Sequence, residues 1–328
     1  MTALVLCCAF WGYSFPVMQF ATAVFDRHMS WAGAAGDDGS HKLASRALFN
    51  AVRFGLAASL YGLLTVRRQR RFSRDEFAGG IVVGAFFATG MLLQVTGLRW
   101  TLPSISSFLT ALAVVFAPLA QSAILRRPLD RPTWLAVSLA IVGMTVLSWP
   151  SPNATARHTL TMTPPVAHLG EIFTVVASML FTGQILAVDH FGRRADGVRL
   201  TLVMLATTSI LSLVMGAVIG GPSPFGHTQW HGLVRDPHVL WTMSSLVVIS
   251  SVMALHLMNT YQPRVSPAIA SVIYCTEPLF GTLFSVLAAT ERLTVTTVAG
   301  GATVLTSVLV VALAARNPLL PSEGHLGQ

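Results

Sequence analysis

Charged residues are scarce in this chain. Only 10% of its 328 residues are Asp, Glu, Lys or Arg, whereas 53% are hydrophobic, and the mean hydropathy is +0.65. A soluble domain carries about 25% charged residues, so the composition excludes an ordinary soluble domain and indicates an integral membrane protein. The net charge of +8 comes from basic residues in the polar stretches between apolar runs. It therefore does not predict nucleic-acid binding.

Cysteine is also rare, and the common catalytic motifs are missing. Cys7, Cys8 and Cys275 all lie inside apolar runs, so they form neither a disulfide framework nor a metal-ligand spacing. The sequence contains no nucleophile-elbow pattern, no phosphate-binding P-loop and no clustered metal ligands. We therefore expect no cofactor and no metal, do not expect an enzyme, and disfavour ATP-driven transport by this chain alone.

Long apolar runs make up most of the sequence. Runs of about 20 residues predict transmembrane helices. The first run begins at Ala3, with no basic segment before it and no evident cleavage site after it, so we expect it to be retained. Polar residues interrupt the seventh run. The ten predicted spans cover residues 3–25, 46–66, 77–98, 103–125, 132–149, 170–190, 199–220, 239–261, 266–289 and 295–315.

The basic residues favour one orientation of these spans. If the N-terminus is cytoplasmic, 13 of the 21 Lys and Arg residues fall in inside segments and seven in outside segments. Positively charged loops remain preferentially in the cytoplasm. Both termini are therefore expected inside, and the long connections 26–45, 150–169 and 221–238 outside. The sequence predicts a multi-pass protein of the bacterial inner, or plasma, membrane.

The fourth and ninth spans resemble each other. Pro103 aligns with Pro267, and Ser107 with Ser271, at a constant offset of 164 residues. Because five spans are an odd number, a second five-span unit enters the membrane in the opposite orientation, as in many secondary transporters. The predicted fold class is an all-α integral membrane protein, with ten transmembrane helices built as two inverted five-helix repeats. The predicted domains are a first repeat at 1–150, an external linker at 151–169, a second repeat at 170–316 and a cytoplasmic tail at 317–328.

Four stretches carry a resemblance to a known family: LCCAFWGYSFPVMQ and VRFGLAASLYGLL in the first two spans, and GLRWTLPSISSFLTALAVVFAPL and YCTEPLFGTLFSVLAATERL in the fourth and ninth. In this order they resemble the EamA-type drug/metabolite transporter superfamily. The resemblance implies a ten-helix carrier of small metabolites, with a cavity between its halves that alternates its access. The TEP-then-ER pattern of that family stands here at Glu277, Pro278, Glu291 and Arg292, whereas Ala113 replaces the acid in the first half.

Glu277 is the strongest candidate for a functional residue. It lies near the middle of the ninth span, where an ionised carboxylate costs about 2.5–3.5 kcal/mol on insertion scales. It must therefore face protein or water, or be protonated. Two interpretations remain open: a group that couples protons or binds a substrate amine, and a neutral carboxyl that hydrogen-bonds a neighbouring helix. Pro278 cannot donate to the carbonyl of Tyr274, which predicts a kink beside the acid.

Other polar and aromatic residues at membrane depth complete the candidate set. Arg53 could line the cavity or extend its side chain to the membrane surface. The remaining polar residues could contact a substrate or form interhelical hydrogen bonds, and the aromatic residues could form cavity walls or simply pack. Besides Glu277, the substrate-binding or coupling candidates are Tyr274, Arg53, Gln94, Trp11, Gln184, His256 and Asn259.

Together these features predict a secondary transporter, either an exporter or an exchanger, of small metabolites. One alternative is an integral membrane enzyme, which would need several catalytic polar residues at one depth. The other is a receptor or assembly subunit without transport activity. The expected partners are a small-molecule substrate, the lipid bilayer and protons as coupling ions, in a monomer or homodimer.

Overall fold

The chain is built of helices. The computed structural model describes residues 1–29, 39–69, 71–98, 100–101, 103–124, 126, 128–147, 164–220, 230–287 and 295–316. The predicted motif residues Glu291 and Arg292 lie outside the described residues. The α-helices are α1 (Thr2–Arg27), α2 (Gly39–Leu64), α3 (Arg74–Gly97), α4 (Pro103–Thr110), α5 (Ala113–Ala123), α6 (Arg131–Leu147), α7 (Pro164–Gly192), α8 (Gly197–Gly220), α9 (Trp230–Arg235), α10 (Pro237–Ser245), α11 (Ala254–Tyr261), α12 (Pro267–Tyr274), α13 (Glu277–Leu287) and α14 (Val295–Arg316). A π-helical segment, Leu246–Met253, joins α10 to α11.

Eight helical segments in the described part of the chain are long and apolar enough to cross a membrane. Two further apolar helices, Arg131–Val146 and Val298–Ala314, are shorter. The predicted seventh span is present as α8, which runs without a break although polar residues interrupt its apolar run. Its polar side chains bond the helix backbone, as in the 2.8 Å hydrogen bond from Thr208 Oγ1 to the Met204 carbonyl oxygen. The protein is a multi-pass membrane protein.

The predicted ninth span is divided into two helices. α12 ends at Tyr274 and α13 begins at Glu277, so the kink expected beside Pro278 is a full break. Proline has no N–H to donate to the carbonyl one turn earlier, which accounts for the end of α12. The break places Glu277 in the first turn of a helix that begins inside the apolar segment.

The predicted fourth span is divided at the equivalent place. α4 ends at Thr110 and α5 begins at Ala113, although Val114 stands where the second half has proline. The amide of Val114 donates to the Ala111 carbonyl oxygen at 2.9 Å, in a tighter turn than that of an α-helix. The two breaks meet, since Cys275 Sγ lies 4.0 Å from the Ala111 oxygen.

Most of the packing joins the first half, α1–α6, to the second half, α7–α14. α2 packs along α8, α3 contacts both α7 and α8, α1 packs on α13, and α6 packs on α14. A large apolar cluster fills the interface of α1–α3 with α7–α13, and a smaller one lies where α6, α12 and α14 meet. Polar side chains of both halves meet at this interface.

An ion pair and a hydrogen bond join the two halves at helix ends. Arg199 Nη1, in α8, lies 3.0 Å from Glu76 Oε1, and Glu76 also forms the capping box of α3 with Ser73. His28 Nε2, after α1, lies 2.9 Å from Asp236 Oδ2, before α10. The hydrogen bond from His28, aided by backbone N–H groups, holds the pKa of Asp236 below its ordinary value.

Candidate functional site

A cavity with an empty volume of about 660 Å³ lies between the two halves. Five of the eight predicted site residues line it, drawn from α1, α3, α7, α12 and α13: Trp11, Gln94, Gln184, Tyr274 and Glu277. The rest of the wall is largely apolar and aromatic. Its further members include Phe15, Phe87, Met91, Phe181 and Met258.

Glu277 is the only carboxylic acid among the described residues that line the cavity. Its side chain is buried, with 8% of its surface exposed. Among the described residues, no side chain or backbone group of another helix donates a hydrogen bond to this carboxyl, and no cation forms an ion pair with it. A neutral carboxyl that packs against a neighbouring helix would donate or accept a hydrogen bond, and no such bond is found among the described residues. The carboxyl therefore lies at the cavity wall without a bonded partner among them.

Two aromatic rings stand beside the acid. The ring centroids of Trp11 and Tyr274 lie 5.6 Å apart at an interplanar angle of 59°. The Tyr274 hydroxyl donates to Gln262 Oε1 at 2.9 Å, and the Gln262 amide donates to the Ile185 carbonyl oxygen at 2.8 Å. The phenol is thus fixed by a hydrogen-bonded chain, and both aromatic residues line the same cavity as Glu277.

Gln94 and Gln184 line the cavity and also contact neighbouring helices. Gln94 Nε2 donates to Thr110 Oγ1 at 2.7 Å and so links α3 to α4. Gln184 Nε2 lies 3.5 Å from Met258 Sδ, a weak contact between α7 and α11. The predicted interhelical hydrogen bond is therefore present for Gln94, and the predicted contact with a substrate stays a prediction for both residues.

Arg53 lies behind the cavity wall. It is 1% exposed, so the prediction that its side chain extends to the membrane surface is wrong. Its guanidinium donates to Ser250 Oγ at 2.7 Å and Ser251 Oγ at 2.9 Å, with Nη1 3.4 Å from Met18 Sδ. Ser250 lines the cavity, whereas Arg53 does not.

His256 and Asn259 are placed away from the cavity. Tyr61 Oη and His256 Nδ1 form a 2.7 Å hydrogen bond between α2 and α11. Asn259 Nδ2 donates to Thr201 Oγ1 of α8 at 3.1 Å. Neither residue lines the cavity, so the structure gives them the interhelical role that was one of their two predicted roles.

The comparisons with known proteins agree with this architecture. The EamA-like transporter family model matches residues 1–149 and 168–313. The chain belongs to the EamA-like transporter family. An "Uncharacterized transporter" of Archaeoglobus fulgidus is 24% identical to this EamA-like protein over 310 residues, which cover 94% of this chain and 84% of the relative. A protein of known crystal structure matches with a TM-score of 0.58 and 14% identity, over 93% of this chain and 97% of that chain, a likeness of fold alone.

Family membership and the transporter-named relative support a membrane transporter. The described residues contain no group of three or more His, Cys, Asp or Glu side chains that could hold a metal ion. The cavity offers one acid, two amides and several hydroxyls. That set can bind and orient a small molecule.

Sequence reasoning missed several cavity residues of this EamA-like transporter. Ser250 is the most informative, because it contacts Arg53 directly. The adjacent serines at 250 and 251 in an apolar span were a usable signal. Phe87 and Phe181, whose ring centroids lie 6.0 Å apart, had none. Aromatic residues are common in apolar helices, and sequence does not fix which face of a helix meets the cavity.

Proposed function

We propose that the protein is a secondary transporter that moves a small metabolite across the membrane by alternating access, as an exporter or exchanger. The observation that carries the proposal is the Glu277 carboxyl, buried at the wall of the cavity between the halves and without a partner among the described residues. An ionisable group at membrane depth is costly, and it typically marks a substrate or ion pathway.

The helix boundaries support a duplicated architecture around this cavity. All four bounds of α4 and α5 reappear in α12 and α13 at the 164-residue offset of the sequence repeat. The family model also matches the two halves separately. The offset pairs Ala113 with Glu277, so only the second half supplies an acid. We propose one asymmetric binding site rather than two equivalent ones.

The contacts between helices support a two-fold relation between the halves. α1 packs on α13 while α7 packs on α4 and α5, and α2 packs on α8. In the repeat, α1 corresponds to α7, α2 to α8, and α4 with α5 to α12 with α13. Exchanging the halves therefore turns the contact of α1 with α13 into the contact of α7 with α5, and leaves the contact of α2 with α8 unchanged. If α6 and α14 also cross the bilayer, the chain has ten spans. With 17 and 22 residues, α6 and α14 are roughly 25 Å and 33 Å long, near the thickness of a hydrocarbon core of about 30 Å.

Glu277 can serve this transport in two ways. As an acid that releases and rebinds a proton, it would couple substrate movement to the proton gradient. As a carboxylate beside the rings of Trp11 and Tyr274, it would bind a substrate amine, because aromatic faces attract cations. A proton and a cationic amine competing for one carboxyl would give an exchanger.

We propose that both termini are cytoplasmic, in a bacterial inner membrane. Arg71, before α3, should then face the cytoplasm, and Arg235, at the end of α9, the outside. Arg71→Cys and Arg235→Cys should react with a membrane-impermeant maleimide from opposite sides of the membrane. Both sites are exposed, and the native cysteines are fully buried, so background labelling should be low. Reaction of both variants in intact cells without permeabilisation would contradict this topology.

A counterflow assay tests the transport activity directly. Purified protein in liposomes loaded with pools of unlabelled metabolites should accumulate the matching labelled compound from outside, because exchange needs no external energy source. Protein-free liposomes serve as the control. We expect accumulation with at least one pool of small organic metabolites. A protein that is well inserted but inactive with every pool would favour the receptor or assembly-subunit alternative.

A further inference from the structure

Arg53 is a buried cation that no acid among the described residues balances. Its donors contact two serine hydroxyls and a methionine sulfur. Among the described residues, no carboxylate forms an ion pair with it, and Glu277 is no exception. A guanidinium is charged at all ordinary pH values. Its field therefore acts on the groups that it touches, and one of these lines the cavity.

That group is Ser250. A serine hydroxyl has one hydrogen to donate and two lone pairs that accept. The Ser250 oxygen accepts from Arg53 Nη2 at 2.7 Å, and its own hydrogen has no acceptor within the part of the chain that the structure describes. Because Ser250 lines the cavity, this hydrogen is free to be donated to a molecule there. Hydrogen bonding to a cation also polarises the hydroxyl and makes it a stronger donor.

The backbone presents the two serines differently. Ser250 and Ser251 lie in the π-helical segment Leu246–Met253, and such wide turns occur often at functional sites. Both side chains reach Arg53, but Ser251 does not line the cavity. Arg53 therefore hydrogen-bonds Ser251 outside the cavity lining and Ser250 at the cavity wall.

We infer that Ser250, polarised by Arg53, is the donor with which this cavity recognises an oxygen acceptor of the transported molecule. This inference rests on the proposed function and adds a second recognition point to it. Glu277 takes the cationic group or proton, and Ser250 takes a carbonyl or carboxylate oxygen. Arg53 acts as a positioning residue, because it contacts Ser250 and not the cavity.

A pair of matched probes tests this role. Phenethylamine and phenylalaninamide share an aromatic ring and an amine, and both are cations at about pH 6, below the pKa of an ordinary α-amino group. Only the second has a carbonyl oxygen. Binding to the purified full-length protein can be followed by tryptophan fluorescence, because Trp11 lines the cavity. We expect the wild type to prefer phenylalaninamide by roughly tenfold, the effect of one charge-assisted hydrogen bond.

Ser250→Ala should remove this preference, because the variant lacks the hydroxyl that donates to the carbonyl oxygen of phenylalaninamide. Ser251→Ala is the matched control, because it also removes one hydroxyl from Arg53 but none from the cavity, and it should retain the preference. Arg53→Lys should weaken the preference, because a single ammonium cannot hold both serines as the fork of a guanidinium does. Thermal melting in the same detergent verifies that each variant is folded.

Several outcomes would overturn the inference. The wild type could fail to prefer phenylalaninamide or could bind neither probe. The preference could survive in Ser250→Ala, or Ser250→Ala and Ser251→Ala could lose it to the same extent. If Arg53→Lys retained the full preference for phenylalaninamide, Arg53 would have no role in positioning Ser250. Failure of the proposed function has a different signature. In that case, Glu277→Gln would leave phenethylamine binding unchanged, whatever the serine variants do.

Discussion

Transport by the Glu277→Gln variant should be at least about tenfold slower than that of the wild type, or should lose its dependence on pH. Glutamine retains the shape of the side chain and much of its hydrogen bonding, but it neither titrates nor carries charge. A hydrogen bond to a charged group contributes roughly 1.5–3 kcal/mol, which corresponds to about ten- to a hundredfold. Because the carboxyl has no partner among the described residues, its loss should cost little packing.

The measurement is the initial transport rate in proteoliposomes over about pH 5.5 to 8, a range that brackets physiological pH. The amount of inserted protein is determined in parallel. Glu277→Leu should also insert normally and should also be inactive. Asp75→Asn is the charge-matched control, because it removes a half-buried acid at the start of α3 that does not line the cavity, and it should transport like the wild type. Wild-type rates and pH profile in Glu277→Gln would show that this residue only packs.

Gly12→Ala should destabilise the protein by about 1–3 kcal/mol, the usual cost of forcing a methyl group into a packed interface. A Cβ at Gly12 would lie 2.6 Å from Phe280 Cβ and 2.7 Å from the Gly281 nitrogen. Because backbone atoms cannot rotate away, α1 and α13 would have to separate. α1 carries Trp11 and α13 carries Glu277, so transport should fall as well.

Gly281→Ala provides the matched control in the same interface. Its Cβ would meet the Ser107 hydroxyl oxygen at 3.6 Å, an ordinary van der Waals contact. Replacing glycine by alanine raises the helix propensity by about 1 kcal/mol at either position. The difference in stability between the two variants therefore measures the cost of the clash at Gly12. In thermal melting, the Gly12 variant should unfold several degrees below the Gly281 variant, by roughly 5 °C. Equal melting temperatures would mean that α1 and α13 approach less closely than the structure has them.

The sequence by itself determined the class of the protein and the position of its central acid. Apolar runs and their lengths are properties of the chain, because a bilayer accepts only segments whose backbone is satisfied internally. The family, the multi-pass architecture and the 164-residue repeat followed from the order of these runs. Glu277 was recognisable because an ionised carboxylate at that depth is energetically costly and is therefore rare in an apolar span. The break beside it followed from Pro278, which lacks an N–H.

Only the tertiary structure decided which candidates share a site. Gln94, Gln184 and Trp11 meet Glu277 at the cavity, whereas His256 and Asn259 bond neighbouring helices. Depth in the membrane can be counted along the sequence. The direction of a side chain around the helix axis depends on how each helix rotates against its neighbours, and no local pattern encodes that rotation.

Two further features also depended on packing. α4 ends at Thr110 although no proline stands at 114, so the first break has no local cause comparable to Pro278. It lies instead against the second break, where Cys275 contacts the Ala111 carbonyl. From the sequence, Arg53 could extend to the membrane surface or line the cavity. The structure decides this, because the π-helical segment brings Ser250 and Ser251 within hydrogen-bonding distance of its guanidinium. A buried charge is tolerated where several distant groups converge on it, and only the folded chain brings those groups together.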